Sequence, residues 1–413
     1  MKLNKNIFGW IMYDFANSSF TTIIVTVIYS VYFRNVVVNQ GELGTALWGR
    51  AISISMLMVA LTAPIFGAVA DFSRAKKKFL FYMTYLTVSF TALLYFVKAG
   101  NIFTGMLFFI IANFGFNSGN VFYNALLPDI APRDQLGKVS GWGWAVGYIG
   151  GLVSLLLMLP LVHNKWINLV FPAVAIFFGF FALPTFFLLK EIRRPSKRTN
   201  YIKTAITRIK ISFKSIKEFK ELIRFIFSYL VYNDGIIIVI CFAAIYGATR
   251  FGMNEKQLIT YFVIANVTSM IGAFIFGYIL DKIGAKRTIT ITLLIWIAVV
   301  IWAYFCKSLN EFYFVGLLAG IAIGSSQSSS RTMLALLTPS DKMAEFFGFY
   351  SVTGRIASIF GPLVYGEISR ITGNQKWAIL SVAIFFIGGA LILQTVNEEK
   401  GKRTALSWKP PEN

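Results

Sequence analysis

Histidine occurs once in the 413 residues and cysteine twice, which leaves neither the ligand set of a zinc centre nor a disulfide framework. Cys241 and Cys306 stand alone in apolar runs, and His163 lies in a short polar connector where a single imidazole forms no relay. There is no nucleotide-binding glycine loop and no nucleophile spaced to a base, so neither an enzyme, a metal nor a cofactor is expected. Charge is scarce too. Only 14% of residues are Asp, Glu, Lys or Arg, against roughly 25% in soluble proteins, and 56% are hydrophobic. Acidic residues are fewest, 18 against 39 basic, and a net charge of +21 would point to nucleic acid if it were spread over a soluble surface. It is not spread that way.

What fills the chain is apolar sequence. Spanning about 30 Å of hydrocarbon takes roughly 20 helical residues, and twelve runs of that kind are predicted: 8–36, 48–70, 79–98, 102–126, 139–160, 167–189, 223–247, 258–280, 288–306, 312–336, 345–368 and 378–396. The first is too long for a signal-peptide core and lacks a small-residue cleavage pattern, so it reads as a retained membrane helix. The organisation expected is an N-terminal bundle over 1–189, a basic linker over 190–222, a C-terminal bundle over 223–396 and a tail over 397–413 that reads as disordered. Lys and Arg crowd alternate connectors: Arg74 with Lys76 to Lys78, Arg133 with Lys138, the run from Lys190 to Arg224, and Lys282, Lys286 and Arg287. That asymmetry is the positive-inside rule. It predicts a multi-pass protein of the cell (inner) membrane with both termini cytoplasmic, and it removes the need for nucleic acid. Within the linker Ile202, Ile206, Ile209, Phe213 and Ile216 form one helical stripe, predicting a helix laid on anionic headgroups at the cytoplasmic face; a solvated linker is the alternative.

The chain also repeats itself. Gly67 and Asp71 in one charged connector reappear as Gly277 and Asp281 in another, both displaced by 210 residues. In the fourth run Asn113, Asn117, Asn120 and Asn124 share one helical stripe, and a shift of 207 carries them onto Gly320, Gly324, Gln327 and Arg331 of the tenth, where the glycines are expected to open space. The same shift sets Asp134 on Asp341, Gly141 on Gly348 and Tyr148 on Arg355. Paired half-repeats are how many secondary transporters are built, with the site near the midplane. Ionisable groups inside a membrane are costly and default to functional candidates. Here they are Asp14, on a stripe with Asn17, Ser18 and Thr21, then Asn233-Asp234, Arg331 and Arg355, whose charges balance. A lone asparagine serves equally well as interhelical glue, and Asp14 could instead begin a helix at the interface.

The stretch Gly277 to Arg287, Gly-x-x-x-Asp-Lys-x-Gly-x-Lys-Arg, resembles the cytoplasmic loop signature of the major facilitator superfamily. The first copy departs from it, with Phe72 where a basic residue belongs and Arg74 at the second glycine. Tyr13-Asp14-Phe15-Ala16-Asn17-Ser18-Ser19-Phe20, Phe122 to Pro128, Ser140-Gly141-Trp142-Gly143-Trp144, Asn233-Asp234-Gly235, Ser330-Arg331 and Phe347 to Tyr350 resemble the autophagy-related vacuolar effluxer family, including its prokaryotic "unknown major facilitator" branch. The resemblance implies an all-α integral membrane protein, twelve transmembrane helices in two pseudo-symmetric six-helix bundles, with the first, fourth, seventh and tenth lining a cavity. It implies a secondary transporter working by alternating access, and eukaryotic relatives are associated with amino-acid export.

Two sets of site residues follow. Gly67, Asp71, Gly277, Asp281, Lys282, Gly284 and Arg287 would form a cytoplasmic gate. Asp71 and Asp281 would end their helices, where a negative charge opposes the dipole unless the start of another helix, the fifth or eleventh, lies near. Asp14, Asn17, Asn113, Asn117, Asn120, Asn124, Tyr148, Asn233, Asp234, Gln327, Arg331 and Arg355 would line the pathway of a small-molecule substrate. Arg331 suits a carboxylate, and Asp14 or Asp234 an ammonium or a coupling proton or cation. A channel or lipid-translocating protein on the same scaffold is the rival reading, separable by saturation and counterflow; a transport-inactive sensor is another.

Overall fold

The structure, a computed structural model, describes residues 4–39, 41–164, 166–190, 219–253, 255–350, 364, 365, 368, 371, 372 and 374–408. Every long element among them is helical. Helix α1 runs from Lys5 to Val37, its first turns capped by Asn4, whose side chain accepts from Ile7 N at 2.9 Å. From Phe20 to Val27, and again from Phe33 to Val37, it winds as a π-helix. The following helices are α2 (Gly41–Ser73), α3 (Lys76–Leu93), α4 (Ile102–Ala125), α5 (Leu136–His163), α6 (Ile167–Leu188), α7 (Lys220–Phe251), α8 (Glu255–Ile283), α9 (Ala285–Phe305), α10 (Leu309–Leu337), α11 (Gln375–Gln394) and α12 (Glu398–Ser407).

Among the described residues ten helices are long and apolar enough to cross a bilayer, and eleven if Arg50–Ala63 and Ile65–Asp71 of α2, bent by 42°, count as one span. Pro64 stands at that bend and withholds a backbone donor. These eleven correspond to all the predicted runs but 345–368, most of which lies outside the described residues, so α11 is the predicted twelfth run. Arg355 and the linker stripe Ile202 to Ile216 also lie outside them.

Contacts divide the chain into two compact units. The first comprises Met1–Ala131, Val146–Lys210 and Asp341–Phe349; the second comprises Pro132–Ala145, Ile211–Ser340 and Tyr350–Asn413. Each takes in a short segment from the opposite half of the sequence: the opening turns of α5 belong with the second unit and residues 341–349 with the first. Inside the first, α1 lies on α6, α2 on α4, and α3 on both α4 and α6; inside the second, α7 lies on α11, α8 on α10, and α9 on both α10 and α11. The repeat seen in the sequence is thus a repeat of packing.

In lipid, helices gain little from burying apolar surface against one another, so close approach and interhelical hydrogen bonds carry the association. The tightest approach described is α8 on α10. A Cβ on Gly324 would collide with Ser269 O, one on Gly320 with Thr268 Oγ1 and one on Gly272 with Ile321 O. Gly320 and Gly324, expected to open space, instead let two backbones touch. In the first unit aromatic rings fill the core: Trp10 stacks on Tyr123 at 4.4 Å and donates to Tyr123 O at 3.0 Å, and Tyr13 shares a hydrogen bond of 2.9 Å with Thr84.

The tail differs from expectation. Residues 398–407 form α12, with the Asn397 side chain accepting from Lys400 N at 2.9 Å. The docking of this short polar helix explains it. Gly401 and Ala405 are buried, Glu221 accepts from Asn397 N at 2.7 Å, and the Glu398 carboxylate accepts from Ala285 N and Lys286 N at 3.1 and 2.8 Å, capping α9. Burial disfavours the Lys402 ammonium, but Glu398, 2.7 Å away, and Glu399 outweigh that and raise its pKa.

Candidate functional site

The two charged connectors are built alike. Asp281, near the end of α8, accepts from Gly137 N and Lys138 N at 3.0 Å each, gripping the first turn of α5, where amides have no acceptor within their own helix. Asp71, near the end of α2, accepts from Glu345 N at 3.0 Å. A shift of 207 carries Lys138 onto Glu345, so the contact itself repeats. The glycines repeat with it. A Cβ on Gly277 would stand 2.7 Å from Gly137 O, and one on Gly67 2.5 Å from Ala344 O, so both positions need a bare backbone. Gly284 has φ +89°, and its counterpart Arg74 keeps the same left-handed region at φ +52°. The departure in the first copy is therefore one of side chain and not of backbone shape.

The surroundings differ. Around Asp71 lies a buried ionic group that the sequence did not reveal: Lys76 Nζ is 3.5 Å from Asp71 Oδ1, 3.1 Å from Asp129 Oδ2 and 3.2 Å from Ala125 O, and Lys342 lies 3.5 Å from Glu345. Asp281 is half-buried, with the Lys138 ammonium 4.5 Å above the Tyr278 ring. Lys282 and Arg287 are exposed and line, with Asp281 and Glu398, a cavity of about 800 Å³ inside the second unit. Only the connector spacing could have pointed to the Asp71 group, because its partners come from separate elements.

On the pathway set, the first unit holds two amide groups. Asn113 donates to Ser55 Oγ at 2.7 Å and Asn117 donates to Asn113 Oδ1 at 2.9 Å, which ties α2 to α4. Asn17 donates to Asn120 Oδ1 at 3.1 Å, tying α1 to α4. Asn124 is half-buried, and its Oδ1, shielded from outside, has no hydrogen-bond partner among the described residues. Asp14 is buried and Tyr148 half-buried. Thr21, expected on the Asp14 stripe, is exposed and lies just inside the π-helical stretch that begins at Phe20.

In the second unit Asn233, Asp234 and Arg331 are buried and Gln327 is half-buried. Tyr232 and Ser330 share a hydrogen bond of 2.6 Å, which joins the turn of α7 bearing Asp234 to the turn of α10 bearing Arg331. The Arg331 guanidinium stands 4.9 Å from the Trp144 ring centroid. Trp144 was absent from the predicted site; the Gly-Trp-Gly-Trp run was its only signal.

The family described as "Vacuole effluxer Atg22 like" matches residues 46–406. The "Uncharacterized MFS-type transporter YxiO" of Bacillus subtilis is 28% identical over 408 residues, covering 95% of this chain and 94% of its own length. Among solved structures, the human organic anion transporter MFSD10 matches with a TM-score of 0.76 at 13% identity, over 94% of this chain and 99% of its own. The Escherichia coli fucose:proton symporter FucP matches at 0.67 and 11%, over 95% and 97%. Identities this low speak for the fold alone, which is that of the major facilitators.

Proposed function

This chain belongs to the vacuole effluxer Atg22-like family, a secondary transporter of the major facilitator type and not an enzyme, and from that premise we propose that its cargo is a small zwitterion, an amino acid in the first instance. The observation that carries the proposal is the buried guanidinium of Arg331, one residue from the Tyr232–Ser330 hydrogen bond that also holds the Asp234 turn. A carboxylate takes the planar fork of Arg331, and Asp234, on the helix that the same hydrogen bond joins, takes the ammonium. Asp234 can exchange that role for a coupling proton.

In this reading Asp71 and Asp281 act as a cytoplasmic gate: each carboxylate holds a helix start while the gate is shut and releases it when the gate opens. The basic connectors support cytoplasmic termini in a cell membrane. The test is a thermal-stability screen of purified protein against amino acids, peptides, sugars and organic ions, since a ligand that favours the folded protein raises its melting temperature. An amino acid should stabilise the wild type and fail to stabilise Arg331→Ala. Stabilisation by sugars alone, or equal stabilisation of the variant, removes the assignment.

A further inference from the structure

We propose that the first turns of α5 are a lever connecting the Asp281 gate to Arg331, with Trp144 as the positioning residue at its far end. The proposal rests on Arg331 serving the substrate. It is drawn from how the segment Pro132–Ala145 is held inside the second unit.

At one end, Asp281 grips Gly137 N and Lys138 N. One turn on, Ser140 donates to Ser328 O at 3.0 Å, and Trp142 Nε1 donates to Tyr278 OH at 3.3 Å. A Cβ on Gly141 would stand 2.5 Å from Ala273 O, so α5 and α8 touch backbone to backbone here. At the other end the Trp144 ring covers the Arg331 guanidinium. From Lys138 to Trp144 is roughly 9 Å of continuous helix at 1.5 Å per residue, and a helix this short moves as one body. Releasing the carboxylate grip lets the segment shift about its remaining contacts, and the ring at its far end shifts with it.

Two features make the link specific. The repeat-related positions, Asn124 and Ser351, offer neither a cation nor a ring, so the sequence repeat does not duplicate the pair. Contacts also place Ala145 with the second unit and Val146 with the first, although α5 is unbroken between them. A guanidinium over an indole is attracted to the ring face, and this attraction fixes where the Arg331 side chain stands relative to α5. Loss of the ring loses that placement.

The experiment uses purified full-length protein and phenylglyoxal, which modifies arginine, with modification of Arg331 followed by mass spectrometry and exposed Arg250 as the internal standard. Trp144→Leu should speed Arg331 modification on the order of tenfold, the size of a desolvated cation–π contact. Asp281→Ala should speed it comparably, Trp144→Phe should stay near wild type, and Trp144→Leu combined with Asp281→Ala should react no faster than the quicker single variant. A wild-type rate in Asp281→Ala overturns the lever, as does multiplication of the two effects in the double variant. Should Trp144→Leu not fold, Trp144→Phe and Asp281→Ala decide the matter, since a lever demands a slow first and a fast second. Phenylglyoxal needs no substrate, so failure of the lever is distinct from failure of Arg331→Ala to alter ligand binding.

Discussion

Replacing Asp281 by alanine removes both acceptors from the first turn of α5, where Gly137 N and Lys138 N have no alternative partner within their helix. Hydrogen bonds to a charged acceptor contribute about 1.5–3 kcal/mol each when well buried. Asp281 is only half-buried, so the lower figures measured for helix N-caps apply, about 2 kcal/mol for the pair. That free energy corresponds to a roughly thirty-fold change in the ratio of gripped to released α5 start. Hydrogen–deuterium exchange of peptides covering 136–141 reads the ratio directly: Asp281→Ala should exchange about thirty-fold faster there. Asp281→Asn, whose amide oxygen can cap one N–H, should fall between it and the wild type. Asp71→Ala should leave these amides alone and deprotect Glu345 instead. If 136–141 is equally protected in wild type and Asp281→Ala, the carboxylate does not hold the helix start and the gate assignment loses its physical basis.

Arg74→Gly relieves a left-handed backbone that costs a side-chain-bearing residue roughly 1 kcal/mol, so it should raise the melting temperature; an unchanged or lower value contradicts the reading of the first connector. Gly324→Val sets a branched side chain against the backbone at Ser269 and should destabilise by about 1–3 kcal/mol or more in thermal unfolding, so a neutral result would mean that α8 and α10 do not touch there. Glu398→Ala strips both caps from α9 and a partner from Lys402, and should cost about 2 kcal/mol and speed exchange across 285–287 and 398–407 together. Exchange rising in only one of those segments would show that α12 is held by other contacts.

Much of this architecture is legible in the sequence because it depends on periodicity and repetition. Apolar runs of bilayer length mark the spans, and the displacements of 210 and 207 residues relate Asp71 to Asp281 and Asp134 to Asp341. What escapes is whatever depends on partners from separate elements. Lys76 meets Asp129 across 53 residues, and no pattern in either segment names the other. No spacing in the sequence relates Trp144 to Arg331, 187 residues on. Gly320 and Gly324 read as open space because a glycine leaves the same gap in a helical projection whether a ligand or another backbone fills it. α12 is polar and too short to be helical alone; its stability comes from the Glu221 and Ala285 contacts, which composition cannot show. The π-helical winding from Phe20 escapes too, because a helical projection assumes about 3.6 residues per turn throughout.

In the proposed carrier the buried Arg331 holds the carboxylate of the cargo. Counterflow in proteoliposomes tests this most directly: vesicles preloaded with an unlabelled amino acid identified by the stability screen are diluted into the labelled form. Saturable, transient accumulation of label in the wild type, abolished in Arg331→Ala, is the predicted result. Unsaturable flux that ignores the internal amino acid and persists in Arg331→Ala would contradict it.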